Sequence, residues 1–194
     1  MESQRLAGGI EYCPTFAWCP DETFAWAMTE LVYVQRETRA YGKTHRVPRQ
    51  EAWFGRAPYS FSGHTFPAQQ EAPELVGLAI RIENLLGIRT IGCLVNKYED
   101  GADSVAWHSD DDHAESDIVV ATISLGATRR FLLRRKVPTA PVASAVLPNS
   151  IGVDLEHGSL LVMGEGVQDD WEHALPKAKN KAPRVSLTFR GVRR

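Results

Sequence analysis

The sequence has little cysteine, no long apolar run and almost no net charge. Its three cysteines, Cys13, Cys19 and Cys93, are an odd number with no Cys-x-x-Cys spacing. That argues against a disulfide framework and a cysteine-built zinc site, and for a reducing intracellular compartment, cytoplasm or, in a eukaryote, nucleus. No stretch approaches the ~20 apolar residues needed to span a bilayer, so no membrane partner is expected. The opening residues Met1–Gly9 carry no secretory-signal pattern. A net charge of -2 lacks the basic excess of a general nucleic-acid binder. There are no internal repeats and no break in composition, so a single domain over 1–194 is expected.

What is present is ordinary in amount and uneven in placement. The 43% hydrophobic and 24% charged fractions are those of a globular protein with a substantial core. Acidic residues crowd 99–117, while basic ones gather at Arg36–Arg49, Arg129–Lys136 and Lys177–Arg194. Any one cluster reads as solvated surface; together they also fit a phosphate-binding rim around a cation site.

Residues 1–19 read as an irregular lead-in punctuated by Pro14 and Pro20. Asp21 is placed to cap a helix over 21–32, with Phe24, Ala27, Met28 and Leu31 on one face. Residues 33–66 are too aromatic for a linker and too broken for one element, so short strands and loops are expected. Leu75, Leu78, Ala79, Ile82, Leu85 and Leu86 predict a helix over 70–86, ended by Gly87. The period then changes to that of strands, at 90–98, 118–125, 129–135, 159–163 and 183–190, with an exposed excursion over 136–150. Helices followed by antiparallel-type strands predict an α+β sheet sandwich with helices packed on one face.

The chemistry gathers in two stretches. His108-x-Asp110 puts an imidazole and a carboxylate on one side of an extended chain, two thirds of the facial triad that holds non-haem Fe(II). Asn96-x-Tyr98 repeats the spacing with two polar groups. Far downstream, Arg184, Ser186, Thr188 and Arg190 alternate with Val185, Leu187 and Phe189. This is either an edge strand with a solvated face or a strand whose polar face points into a barrel. In the second case two buried arginines need anions, and a dicarboxylate ligand, with the Ser186 and Thr188 hydroxyls, would satisfy them. Five other histidines are available as a third metal ligand. His157 precedes a turn, His113 would crowd the His108 loop, and spacing favours His173 only modestly over these and His45 and His64.

Asn96-x-Tyr98, His108-x-Asp110, His173 and Arg184-x5-Arg190, taken together, resemble the AlkB family of Fe(II)/2-oxoglutarate-dependent dioxygenases, and its DNA-repair branch in particular. Val47–Arg49, Tyr59–Gly63, Ile123–Ala127, His157–Leu161 and Pro183–Arg190 support the likeness, which covers about 40–190. The resemblance implies a double-stranded β-helix (jelly-roll) core at about 90–190, preceded by a nucleotide-recognition lid at about 36–66. It implies Fe(II) on His108, Asp110 and His173, the catalytic residues, with 2-oxoglutarate and O2 as cosubstrates. The distal carboxylate of 2-oxoglutarate would pair with Arg184, assisted by Tyr98 and Thr188, while Asn96 and Arg190 would bind the end nearer the iron. The implied reaction is oxidative demethylation of 1-methyladenine and 3-methylcytosine in DNA, yielding succinate, CO2 and formaldehyde.

A base must leave the duplex to reach a barrel interior. By resemblance, Phe61 would stack the flipped base against His108, with Tyr59 and Ser62 beside it. Tyr41 falls where some members carry a gap-filling finger, and Asp111 and Asp112 would favour a cationic lesion. Arg46, Arg49, Arg129, Arg130, Arg134 and Arg135 are candidate phosphate contacts, and the acidic total predicts modest, salt-sensitive affinity for alkylated DNA. A monomer is expected. Alternatives are an RNA demethylase, a protein or small-molecule hydroxylase on the same scaffold, or a non-catalytic metal-binding jelly-roll module. The last leaves the paired arginines without a role.

Overall fold

The computed structural model describes residues 2–40, 42–61, 64–70, 72–110, 118–136, 150–179 and 181–194, and at 39, 40, 60, 61 and 64 only the backbone. In chain order the elements are β1 (Gln4–Ala7), β2 (Ile10–Cys13), α1 (Pro20–Thr29), β3 (Glu37–Ala40), β4 (Lys43–Arg46), β5 (Gln50–Gly55), β6 (Tyr59–Phe61), β7 (His64–Phe66) and α2 (Pro73–Leu86). There follow β8 (Ile88–Tyr98), β9 (Val105–His108), β10 (Ile118–Gly126), β11 (Arg129–Arg135), β12 (Ser150–Leu155), β13 (Leu160–Met163), α3 (Val167–Asp170), β14 (Trp171–Leu175) and β15 (Arg184–Arg193).

Two antiparallel sheets make a jelly-roll. The larger runs β1-β2-β13-β10-β15-β8-β5 and the smaller β12-β11-β14-β9. The final strand is thus central, between β10 and β8, and the edge-strand alternative for it fails. Its alternation serves two interiors. Val185, Leu187 and Phe189 join Cys93, Val95, Val119, Ala121, Ile123 and Leu125 under Ala27, Leu75, Leu78 and Ile82, so α1 and α2 cover one face of the larger sheet. The other face turns toward the smaller sheet. At one end the gap is filled by Ile10, Tyr12, Val120, Leu161 and Met163 against Leu133, Val153 and Leu155. The rest of that face is polar and holds the site.

Several expectations are corrected. Residues 4–13 are not an irregular lead-in: β1 and β2 extend the larger sheet, with β2 pairing β13 from Leu160↔Cys13 to Met163↔Ile10. These strands are four residues each, too short for alternation to stand out. Asp21 does not cap α1; Cys19 does, at φ 48°, with Pro20 next, where its missing N–H costs nothing. Helix α2 begins at Pro73 because a proline disfavours helical geometry in the residue before it. Gly87, at φ 67°, closes α2 by donating its N–H to the Glu83 carbonyl. Strands β9, β12 and β14 were not anticipated as elements, and β9 and β14 carry the two histidines of the site. Most of the 136–150 excursion lies outside the described residues.

Candidate metal and cosubstrate site

Strands β5, β8, β15 and β10 lie side by side, and their register builds the site in rows. Arg184 pairs with Tyr98; Ser186 lies between Asn96 and Ser124; Thr188 lies between Leu94 and Thr122. All of these side chains but Ser124 line a cavity of about 60 Å³, as do Arg49, His108, Asp110, His173 and Arg190. The expected cosubstrate residues Asn96, Tyr98, Arg184, Ser186, Thr188 and Arg190 therefore converge with the expected metal ligands on one space. Thr122 and Ser124 were missed, although strict alternation on β10 would have found them.

The smaller sheet supplies the imidazoles. His173 on β14 is the direct cross-strand partner of His108 on β9, and their ring centroids are 4.2 Å apart. Asp110 follows two residues after β9 ends. One donor atom from each of His108, Asp110 and His173 lies within 4.8 Å of the others. His108 Nε2 is 3.9 Å from Asp110 Oδ1, and His173 Nε2 is 3.7 Å from Oδ2.

These three residues fit a divalent metal on their own geometry. His108 Nδ1 lies 2.9 Å from the Ala106 carbonyl, which can only accept, so Nδ1 is the donor there and Nε2 is the nitrogen left for the cluster. Burial pushes His173 down from 6.5 to about 4, against the opposing pull of Asp110, so its imidazole is neutral near pH 7. For Asp110, burial alone would raise the carboxyl, but Arg190, with His173 and His108, outweighs it and holds the group well below the usual carboxylate range. Two imidazoles and one carboxylate on one side of an open space are the donor set of a non-haem Fe(II) centre. Phe131 stacks on His173 at 5.4 Å, and Gln168 accepts from the Asp110 backbone N–H at 2.8 Å. Neither was foreseen, because both contacts are long-range.

The two inward arginines differ. Arg190 donates to Asp110 Oδ1 at 2.8 Å, so its counter-charge is already within the chain. Arg184 is 2% exposed, donates to the Ser124 hydroxyl at 2.9 Å and lies 5.1 Å from the Tyr98 ring centroid. Its Nε is buried without an acceptor, and no carboxylate pairs with it among the described residues. A buried guanidinium in that position calls for an anion.

The residues expected to touch substrate fare differently. Tyr41, Ser62, Asp111 and Asp112 lie outside the described residues, as does the side chain of Phe61. Tyr59 is 5% exposed, stacked 4.6 Å from Trp53 and covered by the Arg190 guanidinium at 4.6 Å, so its ring offers no open face to a base. Arg49 is buried against Glu51 and Asn96, not aimed at solvent. Arg129 is no phosphate contact either: at 1% exposure it donates to the carbonyls of Asp100, Asp103 and Pro176, tying two loops together. Arg130 and Arg134 are exposed but paired with Asp154 and Glu172. Arg46 lies exposed on β4. His157 accepts from the Gly126 N–H, a structural role.

Residues 14–190 match the family model of the 2OG-Fe(II) oxygenase superfamily. Alpha-ketoglutarate-dependent dioxygenase alkB homolog 3 of Bos taurus is 35% identical over 185 residues, covering 93% of this chain and 65% of that protein. DNA oxidative demethylase ALKBH2 of Homo sapiens is 35% identical over 184 residues, covering 89% of this chain and 68% of that protein. The chain thus spans about half to two thirds of the length of such relatives. The solved structure of OsALKBH1 superposes with a TM-score of 0.61 over 100% of both chains at 19% identity, a likeness of fold.

Proposed function

The chain belongs to the AlkB family of 2OG-Fe(II) oxygenases, and on that premise we propose that it oxidatively demethylates N-alkylated bases in DNA. The substrates are 1-methyladenine and 3-methylcytosine; 2-oxoglutarate and O2 are converted to succinate and CO2, and the methyl carbon leaves as formaldehyde. The observation that carries the cosubstrate reading is Arg184, a buried cation with no carboxylate partner among the described residues, in the cavity that holds His108, Asp110 and His173. A dicarboxylate with one end on the metal and the other on Arg184 suits both ends of that space. The relatives named for DNA oxidative demethylation support the substrate class.

Iron(II) held by His108, Asp110 and His173 would supply the O2-dependent oxidation of the methyl group. The chain's part is to bind and orient. Arg184 receives the distal carboxylate, and the Ser124 hydroxyl, already on its Nη2, keeps the guanidinium aimed. Arg190 holds Asp110 ionised and fixes one of its oxygens at 2.8 Å. Leu94, Val105 and Leu175 give the cavity apolar walls that exclude water.

For the base, segment 36–66 acts as the lid. Hairpin β3–β4 is solvent-exposed along β4, and Tyr41 lies in sequence between its strands. A flipped base stacks on Phe61 with Ser62 beside it, and Asp111 and Asp112 favour the cationic forms of the methylated bases over neutral ones. With Arg49 and Arg129 buried, phosphate contact falls to exposed groups such as Arg46, so binding is weak and steeply salt-dependent.

The test is anaerobic Fe(II) loading, then O2 and 2-oxoglutarate with a short DNA strand carrying one 1-methyladenine, read by mass spectrometry. Loss of one methyl mass, abolished in His108→Ala, is expected. Succinate without methyl loss would discard the DNA substrate and keep the oxygenase.

A further inference from the structure

A second buried ionic cluster adjoins the cavity. Glu51, on β5, is 0% exposed and is gripped by two arginines. Arg36 donates to it through Nε at 2.5 Å and Nη2 at 2.8 Å; Arg49 donates at 3.1 Å through Nε, and its Nη2 lies 2.8 Å from Oε1. Both arginines are buried, Arg36 at 9% and Arg49 at 8%. Three charges have been withdrawn from water where apolar packing would serve folding as well. The cluster also reaches beyond itself: Arg49 Nε donates to Asn96 Oδ1 at 3.0 Å, and Asn96 is the register partner of Glu51. Arg49 and Asn96 both line the cavity.

We propose that Arg49, held by Glu51 and Arg36, is a positioning residue for the cosubstrate, acting by fixing the orientation of the Asn96 amide. A guanidinium has donors only. With Arg49 on its oxygen, Asn96 is locked with Oδ1 on the guanidinium and its NH2 left as a donor to an anionic ligand in the cavity. A free asparagine would populate both amide orientations, and the flipped one would present an oxygen to a carboxylate. Glu51 keeps the Arg49 fork in place, and Arg36, one residue before β3, ties the base of the exposed hairpin to the same carboxylate. The hairpin and the cosubstrate seat are thereby joined through Glu51. This inference rests on the 2-oxoglutarate reading above.

The experiment is calorimetric titration of the Mn(II)-loaded full chain with 2-oxoglutarate, a binding readout independent of turnover. Arg49→Lys keeps a cation for Glu51 but replaces the fork with a single ammonium; it should weaken binding about tenfold. Asn96→Asp keeps an oxygen for Arg49 but replaces the donor with a second anion, so it should bind at least about tenfold more weakly than Asn96→Ala. Adding Arg49→Lys to Asn96→Ala should change affinity no more than about twofold, since the amide through which Arg49 acts is gone. Cooperative melting of each variant checks folding. Should Arg49→Lys unfold, Asn96→Asp carries the test alone, because it adds charge where Arg49 already sits. Wild-type affinity in Arg49→Lys, multiplicative penalties in the double variant, or Asn96→Asp binding as well as Asn96→Ala would each overturn the positioning role. Failure of the wild type to bind 2-oxoglutarate would sink the cosubstrate reading, and this role with it.

Discussion

Arg184 and Arg190 stand on one face of one strand, and both are almost wholly buried. At the Arg190 end the chain supplies the counter-charge itself, from Asp110. At the Arg184 end it supplies a hydroxyl and an aromatic face and, among the described residues, no carboxylate. The first arrangement balances a buried charge within the fold and prepares a metal ligand. The second costs stability in the ligand-free protein and is recovered only when an anion arrives. Two chemically identical side chains thus divide the site into a structural end and a receptive end.

The division makes opposite predictions for the same substitution. Arg190→Met leaves Asp110 buried without its cation, which should cost about 3–5 kcal/mol of stability. Denaturant midpoints of the metal-free protein would show it, and an unchanged midpoint would break the comparison at its structural end. Gln168→Ala is a smaller insult to that end. It leaves the Asp110 backbone N–H buried without its acceptor, which should cost about 1–3 kcal/mol and lower metal affinity roughly tenfold. A metal titration that does not move would remove Gln168 from the account.

Acid sharpens the comparison further. His173 titrates near 4 in the folded protein, against 6.5 for a free histidine. Between those values the unfolded chain takes up a proton that the folded chain does not. Stability of the metal-free protein should therefore fall as pH drops from 6.5 toward 4, and the depressed Asp110 carboxyl extends the loss below that range. Replacing His173 with Gln should flatten the upper part of the slope. Urea midpoints that ignore pH in this window would contradict the buried neutral imidazole.

How much of this was legible in the sequence follows from range. Local periodicity carries far: the two-residue alternation from Arg184 to Arg190 and the 3–4 spacing of Leu75, Leu78 and Ile82 named a strand and a helix that the fold contains. Strands β1 and β2 were illegible because each is four residues long and takes its meaning from β13, about 150 residues later. In the site, His108 and Asp110 share one short stretch, but the place of His173 depends on a register set between β9 and β14. That Arg190, and not Arg184, owns the Asp110 carboxylate is a contact across 80 residues, invisible to any spacing rule. Arg49 misled for a related reason. A basic cluster reads as surface until Glu51, two residues on, is seen to pair with Arg49 in the interior.

The most direct measurement is the melting temperature of the Mn(II)-loaded protein with and without 2-oxoglutarate, in the wild type and in Arg184→Met. The expected result is a clear rise for the wild type and none for the variant, with the ligand-free variant melting no lower than the wild type, because it has shed an uncompensated buried charge. An equal ligand-induced rise in Arg184→Met, or a ligand-free variant as damaged as Arg190→Met, would contradict the assignment of Arg184 as the receptive end of the site.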